Sequence, residues 1–334
     1  MLPATPRPDA DSRPLRVLVG HRPPAPKVRY VDQIVGDELS GVDFGFFGAA
    51  YRDQDADVVH VHDLDALLGE GKDPDRVAAA EEFIAALTSR SIALVQTLLP
   101  RDPRDTPAHQ VLDRATNAFI ILDEDTATPD PEITTLIPHA HFRDRFLGYP
   151  RGERIQGRVL CVSRTDTARS AEAPLKVFSV VDTADLTLRV VGEEDPDLEP
   201  LIGRAVRRTN GAVSARLETL SEAEIVREID GAEVVLLPET ESLEDLTVLF
   251  LVLSLDRPVI LPRSSTATAL ASEVGPGWIQ TYEGPLTAEV LDEAVEAVRT
   301  AERGERPHLD GRDLETTARE YAEVFRRAAR SVGR

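Results

Sequence analysis

The chain has 334 residues, 38 basic and 59 acidic side chains, a formal net charge of −21 and one cysteine. That length exceeds one ordinary hydrophobic core and suits two domains. The charge repels DNA, RNA and anionic lipid wherever basic groups do not cluster, which excludes a general nucleic-acid binder and otherwise serves solubility. No apolar run reaches the roughly 18 residues of a membrane span. The first one, Leu15 to Gly20, is too short for a secretory signal, and Cys161 has no partner for an internal disulfide. A cytoplasmic protein is expected.

Short β-branched runs alternate with helical patterns, which predicts β-α units and parallel strands. In the first half the strands are LRVLVG (15–20), VDFGFFG (42–48), DVVHVH (57–62), IALVQTLL (92–99), AFIILD (118–123) and ITTLI (133–137). Two helices between them open on the same device: Asp73 as N-cap before Pro74, and Thr106 before Pro107. The rhythm restarts with GRVLCVS (157–163), LTLRVVG (186–192), VSARLET (213–219), AEVVLLP (232–238), RPVILP (257–262) and GWIQTY (277–282). SEAEIVREI carries a capping box, Ser221 with Glu224. Two amphipathic helices close the chain, the last over about 310–332 with Leu314, Tyr321, Val324, Phe325 and Ala328 on or near one face. The Gly-, Pro- and charge-rich GYPRGERIQG (148–157) marks the joint. The expected division is 1–150, 151–309 and a terminal helix, 310–334, able to pack back across the domains. The fold class is α/β: two Rossmann-like, doubly wound parallel-sheet domains facing a cleft.

Seven histidines include two H-x-H pairs, His60 with His62 and His139 with His141. Period-2 spacing puts His60 and His62 on one face of a strand, and His62 and Asp63 fall at its carboxyl end, where open α/β sheets bind ligands. A metal would want a further ligand that the spacing does not demand. Structural packing and substrate contact remain as alternatives, and no metal is assigned. PHAH follows the last strand of the first half and is placed on the cleft side. Arg143, Arg145, Arg151, Arg154, Arg158, Arg164 and Arg169 reverse the charge locally around the joint. Guanidinium groups suit diphosphate oxygens, while salt bridging to nearby acids is the plainer use. Arg164 and Arg169, in the loop after the first strand of the second half, are best placed for the former. Glu193 and Glu194, after VVG, stand either near a nucleoside or in solvent. Cys161 and Trp278 are expected in the core. The sequence lacks G-x-G-x-x-G after the first strand, a Walker loop, C-x-x-C, H-E-x-x-H and G-x-S-x-G, so dehydrogenase, P-loop, zincin and α/β-hydrolase chemistry lose their support.

Two Rossmann-like halves without the glycine fingerprint resemble GT-B nucleotide-sugar glycosyltransferases of retaining type. DVVHVHD, RVLCVSRTDTARS, LRVVGE, LSEAEIVREIDGAEVVLLP and LSLDRPVILP match successive elements of that family. IPHAHFRDRF and LVLSLDRPVILPRSSTATALASEVGPGWIQTYEGPLT resemble a bacterial subgroup associated with exopolysaccharide assembly; the likeness runs from about residue 15 to 300. It implies a UDP- or GDP-linked sugar as substrate rather than a cofactor, a glycan or lipid-linked acceptor, and peripheral membrane contact. Arg164 and Arg169 are implied to neutralise the leaving diphosphate, and Asp245, Leu246 and Thr247 to occupy the donor loop. His62 and Asp63 are implied catalytic, and Gln96, His139 and His141 acceptor-side.

The departures cluster on the same positions. Gln96 and Arg101 stand where the subgroup has histidines, and glutamine cannot exchange a proton as histidine does. Asp245-Leu246-Thr247 replaces Asn-Ser-Gly, putting a carboxylate where a phosphate is expected. Leu251 stands at a glutamate position, Arg169 at a lysine and Ser163 at a glycine. Retaining transfer asks for little protein nucleophilicity, so an active enzyme is compatible with these changes. The alternative is a catalytically degenerate protein that binds or regulates an active glycosyltransferase. A sugar-nucleotide epimerase on the same fold is a third possibility.

Overall fold

The structure is a computed structural model that describes residues 13–21, 30–35, 41–47, 55–62, 67–68, 73–98, 106–163, 171–180, 185–194, 196–238 and 243–334. They form two compact units: the described parts of Met1–Pro24, Val31–Pro138 and Leu314–Arg334, and those of Ala25–Tyr30 and His139–Asp313.

The first unit contains β1 (Leu15–His21), β2 (Val42–Phe47), β3 (Val58–Val61), α1 (Asp73–Ser89), β4 (Ala93–Leu98), α2 (Pro107–Ala115), β5 (Ala118–Ile121) and β6 (Thr134–Leu136). All pairings are parallel, in the order β2-β1-β3-β4-β5-β6. Strand order reverses between β1 and β3. β3 and β4 are buried on both faces, as a parallel sheet covered by helices requires. Val59, Val61 and Leu94 pack against Ala80, Phe83 and Leu87 of α1 and Leu112 of α2.

The second unit contains β7 (Arg158–Ser163), α3 (Glu172–Val180), β8 (Thr187–Gly192), α4 (Glu199–Arg208), β9 (Val213–Leu217), α5 (Glu222–Gly231), β10 (Val234–Leu236), α6 (Leu243–Ser254), β11 (Val259–Pro262), α7 (Ser265–Val274), β12 (Ile279–Tyr282) and α8 (Ala288–Thr300). Its order is β12-β11-β10-β7-β8-β9, again parallel, with the reversal between β7 and β10. This is the doubly wound dinucleotide-fold order. One core joins Val159 and Cys161 of β7 to Leu175 and Phe178 of α3, Ile202 of α4 and Leu291 and Val295 of α8. Trp278 is buried as well.

The last helix, α9 (Leu314–Ser331), belongs to the first unit and lies against β3 and β4. Tyr321, Val324, Phe325 and Ala328 form its buried stripe, the 3.6-residue period expressed as packing.

Local signals act as expected. Thr106 caps α2, accepting from the His109 amide at 3.4 Å, and the Ser221–Glu224 capping box opens α5. α1 begins at Asp73, one residue before the expected start. Most strands are shorter than their expected runs, two of them for a visible local reason. Pro131–Ile133 forms a 3-10 turn, with Asp130 accepting from the Glu132 amide, and delays β6 to Thr134. Gly277 has φ +75°, which breaks the run before Ile279. At the entrance to β7, Gly157 has φ +77°, and a Cβ there would sit 2.0 Å from the Asp185 carbonyl oxygen, so glycine is required.

Candidate functional site

In open parallel sheets, ligands bind outside the carboxyl ends of the strands flanking the reversal of strand order. In the first unit that place is the end of β1 and β3, and His62 follows β3 directly. His60 is fully buried one pleat deeper, its Nε2 2.8 Å from the Thr97 hydroxyl of β4. The imidazoles of His60 and His62 stack at 5.8 Å, and the rings of Tyr321 and Phe325 of α9 cover His60 at 6.0 and 5.5 Å. Burial, and then the charge His62 would carry, push the His60 pKa well below its usual value. His60 is therefore a neutral packing residue; His62 is half-buried beside it.

Gln96 points the other way. It pairs with Val61 across β3 and β4, so it shares a face with Leu94 under α1 and α2, opposite His60 and Thr97. Its side-chain amide donates to Thr116 Oγ1 at 2.5 Å and to Asp113 Oδ1 at 3.3 Å, and it is 1% exposed. Here Gln96 anchors the end of α2 to β4.

In the second unit the corresponding place is the end of β7 and β10. The residues following these strands, 164–170 and 239–242, lie outside the described residues, and with them Arg164 and Arg169; so do Asp63 and Arg101. Asp245, Leu246 and Thr247 are in the first two turns of α6 and are buried.

Thr247 leads to the second histidine pair. His139 Nε2 lies 3.0 Å from Thr247 Oγ1, and Nδ1 lies 2.8 Å from the Ala140 carbonyl. The carbonyl can only accept, so Nδ1 carries the proton and Thr247 donates to Nε2. The ring stacks on Phe250 of α6 at 4.9 Å with 7° between the planes. Arg312 donates to the His139 carbonyl at 3.0 Å, chelates Glu273 of α7 and lies 4.9 Å over the same Phe250 ring. Burial, aided by the Arg312 charge, lowers the His139 pKa to about 3, so it is neutral and 1% exposed. His141 is half-buried. Its amide donates to the Arg312 carbonyl at 2.8 Å, its Nδ1 accepts from the Arg143 amide at 3.3 Å, and burial lowers its pKa. Neither residue is on a strand. His139 fastens the first stretch of the second unit to α6, and His141 ties it to the segment at Arg312.

Of the arginines near the joint, Arg143, Arg145 and Arg151 are spent on structure, the plainer of the two uses. Arg145 binds Glu222 at the start of α5. Arg151 sits 3.3 Å from the buried Asp230 near the end of α5 and donates to the Leu255 carbonyl at 2.7 Å, while Arg143 donates to the Pro307 carbonyl at 2.6 Å. Asp230 also takes Arg257 at 3.4 Å and the Gly152 amide at 3.0 Å. Asp230 and Leu255 directly precede β10 and β11, so Arg151 and Arg257 serve the amino ends of the sheet, away from the ends that bind ligands. Thr97, Thr116 and Arg312 carry no motif of their own, and sequence reasoning passed over them; the resemblance places Thr247 in the donor loop and gives no sign of its tie to His139. Among the described residues, no three His, Cys, Asp or Glu side chains are placed to hold a metal ion.

No family model matches the chain. Two curated relatives from Xanthomonas campestris pv. campestris, each described as GDP-mannose:glycolipid 4-beta-D-mannosyltransferase, are 31% identical over 270 residues, which cover 77% of this chain and 76% of theirs. Among solved structures, an Escherichia coli protein titled trehalose-6-phosphate, bound with UDP-2-fluoro glucose, superimposes with a TM-score of 0.58 at 9% identity, covering 94% of this chain and 95% of that one. Anabaena Alr3699/HepE in complex with UDP and glucose gives 0.56 at 10% identity, covering 95% and 97%. At those identities the structures establish the fold, and the Xanthomonas relatives supply the kinship. The two parallel sheets, each reversing strand order at a ligand-binding end, and the extended identity to the mannosyltransferases place this chain in the GT-B nucleotide-sugar glycosyltransferase family.

Proposed function

We propose that this protein transfers mannose from GDP-mannose to a lipid-linked glycan in the synthesis of a bacterial surface polysaccharide. The observation that carries the proposal is the 31% identity, over 77% of the chain, to relatives described as GDP-mannose:glycolipid mannosyltransferases. The second unit is read as the donor domain. Its strand order supplies a switch point at β7 and β10, and Arg164 and Arg169 follow β7 in the sequence. There they would balance the negative charge that gathers on the departing diphosphate, where electrostatic stabilisation is worth most. Asp245, Leu246 and Thr247 belong to this donor side. The first unit is read as the acceptor domain, with His62 at its switch point and Asp63 next in the sequence. His139 acts at one remove, by holding α6 in place, and His141 by tying the same stretch to Arg312. Action inside the cell, at the inner face of the membrane, fits a glycolipid acceptor and a chain in which no described helix is long and apolar enough to cross a bilayer.

The linkage poses a definite chemical question. The relatives' description specifies a β-mannoside. From an α-linked donor that product requires inversion at C1, and inversion requires a base to take the proton of the incoming hydroxyl; His62 is the candidate. The wider resemblance implies retention, which requires no such base. Incubating the purified protein with GDP-mannose and a lipid-linked acceptor, then determining the product's anomeric configuration by NMR, decides both points. A β-product with a pH-rate limb lost in His62→Asn supports inversion with His62 as base; an α-product supports retention.

A second reading has its own observation. Gln96 occupies the position where the subgroup has histidine, and it is consumed by hydrogen bonds to Thr116 and Asp113. That suits a protein that has kept the scaffold and lost the chemistry, acting as a partner of an active glycosyltransferase. Donor binding without transfer to any lipid-linked acceptor favours it.

A further inference from the structure

One face of the second unit's sheet is covered by α3, α4 and α8. Leu175 and Phe178 of α3, Ile202 and Ala205 of α4, and Leu291 and Val295 of α8 share a single core with β7 and β8. α8 packs on β12 and α4 on β9, the two edge strands of the sheet, while α3 packs on β8 beside α4. Each helix follows a parallel strand and carries the chain back, so the three run in one direction. Their outer sides differ in charge. Arg204, Arg207 and Arg208 are exposed on the second half of α4 and make no ion pair among the described residues. The helix's own acid, Glu199, stands at its other end, about 8 to 14 Å along the axis at 1.5 Å per residue, which is at or beyond a Debye length of about 8 Å. On α3, Glu172 and Lys176 answer each other. On α8, Glu289, Asp292, Glu293 and Glu296 are exposed at intervals of three and four residues, hence on one side of the helix, and are also without ion pairs among the described residues. The cation of that helix, Arg299, is spent on Glu233. The face is therefore positive at one edge and negative at the other. It also carries Val180 at the end of α3, 78% exposed, and Val206 of α4, 39% exposed, two of the five large apolar side chains exposed among the described residues.

Cations at a helix C-terminus complement the helix dipole, which accounts for Arg207 and Arg208 taken singly. It does not account for Arg204, for the exposed valines or for the opposite stripe on α8. A surface with one sign at each edge is complementary to itself. A two-fold axis parallel to the strands and passing over α3 lays α4 of one copy along α8 of the other and repeats that contact in reverse. The paired helices then run the same way, so the arginines of α4 meet the second half of the α8 stripe, Glu293 and Glu296. α3 meets its own counterpart, bringing Val180 to the centre. Both charge contacts form together, and the arrangement closes at two copies, as an isologous interface does. We propose that the α3–α4–α8 face is a homodimer interface of this protein. The partner is a second copy because of the signs: another acidic protein could answer the arginines alone, whereas a copy of this chain answers both stripes at once. The net charge of −21 makes other approaches of two copies repulsive and so favours this one. The inference is independent of the donor and acceptor assigned above.

Sedimentation velocity and light scattering on the full-length protein test it. The wild type is expected at twice the mass of one chain, dissociating on dilution. Arg204→Glu with Arg207→Glu, and separately Glu293→Lys with Glu296→Lys, set like charges against each other at both contacts. Each pair is expected to weaken the dimer at least about tenfold, with the cooperative melting of the wild type. An equimolar mixture of these two variants is expected to recover the dimer, since each then meets its opposite at both contacts. Arg204→Gln with Arg207→Gln and the single change Val180→Glu, all at exposed positions, are expected to give smaller losses in the same direction. A wild type that stays monomeric at every concentration overturns the proposal. So does an undiminished dimer in the charge-reversed variants, or a mixture of them that recovers nothing. Mass that grows past two copies with concentration also overturns it, because it marks an open array of copies and not a closed pair.

Discussion

The two H-x-H pairs solve the same problem with different partners. In each, the first histidine is buried, neutral, joined through Nε2 to a threonine hydroxyl and packed on aromatic rings. His60 owes its place to α9, a helix that reaches the first unit from the far end of the chain. His139 owes its place to α6 and to Arg312, within its own unit. The second members differ too: His62 follows β3 at the sheet end where open α/β folds bind ligands, whereas the His141 amide and ring nitrogen are both taken by backbone groups. Similar motifs thus point to unlike uses, and the surroundings rather than the spacing decide which is chemical.

This contrast can be broken first at α9. Tyr321→Ala removes a fully buried ring against His60 and is expected to cost about 3–5 kcal/mol in chemical denaturation. Hydrogen exchange should show protection lost in β3 and β4 and kept in α6. Loss spread evenly over both units would mean that α9 is not specific to the first.

Arg312→Met tests the other side. It leaves the Glu273 carboxylate without its guanidinium and removes the bond to the His139 carbonyl, with an expected cost of about 2–3 kcal/mol and loosened exchange at 139–142. Unaltered exchange there would deny Arg312 its role.

Acid sharpens the comparison. The His139 pKa is lowered from 6.5 to about 3 in the folded protein, so between those values the unfolded chain binds the extra proton. Its contribution to stability is complete above pH 6.5 and is lost as pH falls toward 3. His60 is shifted in the same direction. His139→Gln should flatten the fall in melting temperature over that range, and an unchanged slope would place the titrating group elsewhere.

The smallest effects are the threonines. Thr97→Val and Thr247→Val each leave a buried imidazole nitrogen without its hydroxyl, at about 1–2 kcal/mol in denaturation. A neutral result at either would show that ring packing alone holds that histidine.

Much of the fold was legible because it depends on local period: alternating β-branched runs, Thr106 before Pro107, and Ser221 with Glu224 all act within a few residues. The shared face of His60 and His62 follows from the two-residue repeat. That Gln96 turns from that face was also implicit in strand register, but a family position drew it toward the acceptor side. The arginine partners were not legible. Asp230 lies 79 residues from Arg151 in the chain, and only the folding of α5 brings them together. PHAH is placed on the cleft side because it follows the last strand of the first half, yet its form is set by Thr247, Phe250 and Arg312, which announce nothing of this locally. The stripe of α9 reveals that it packs, not on which sheet.

The central claim is that this scaffold still holds a mannosyl donor. Calorimetric titration of the purified protein with GDP-mannose, GDP and UDP tests it directly. The account expects saturable binding of GDP-mannose and GDP, weaker binding of UDP, and loss of GDP-mannose affinity in Arg169→Ala. Heat of dilution alone with all three, from protein that melts cooperatively, would contradict it.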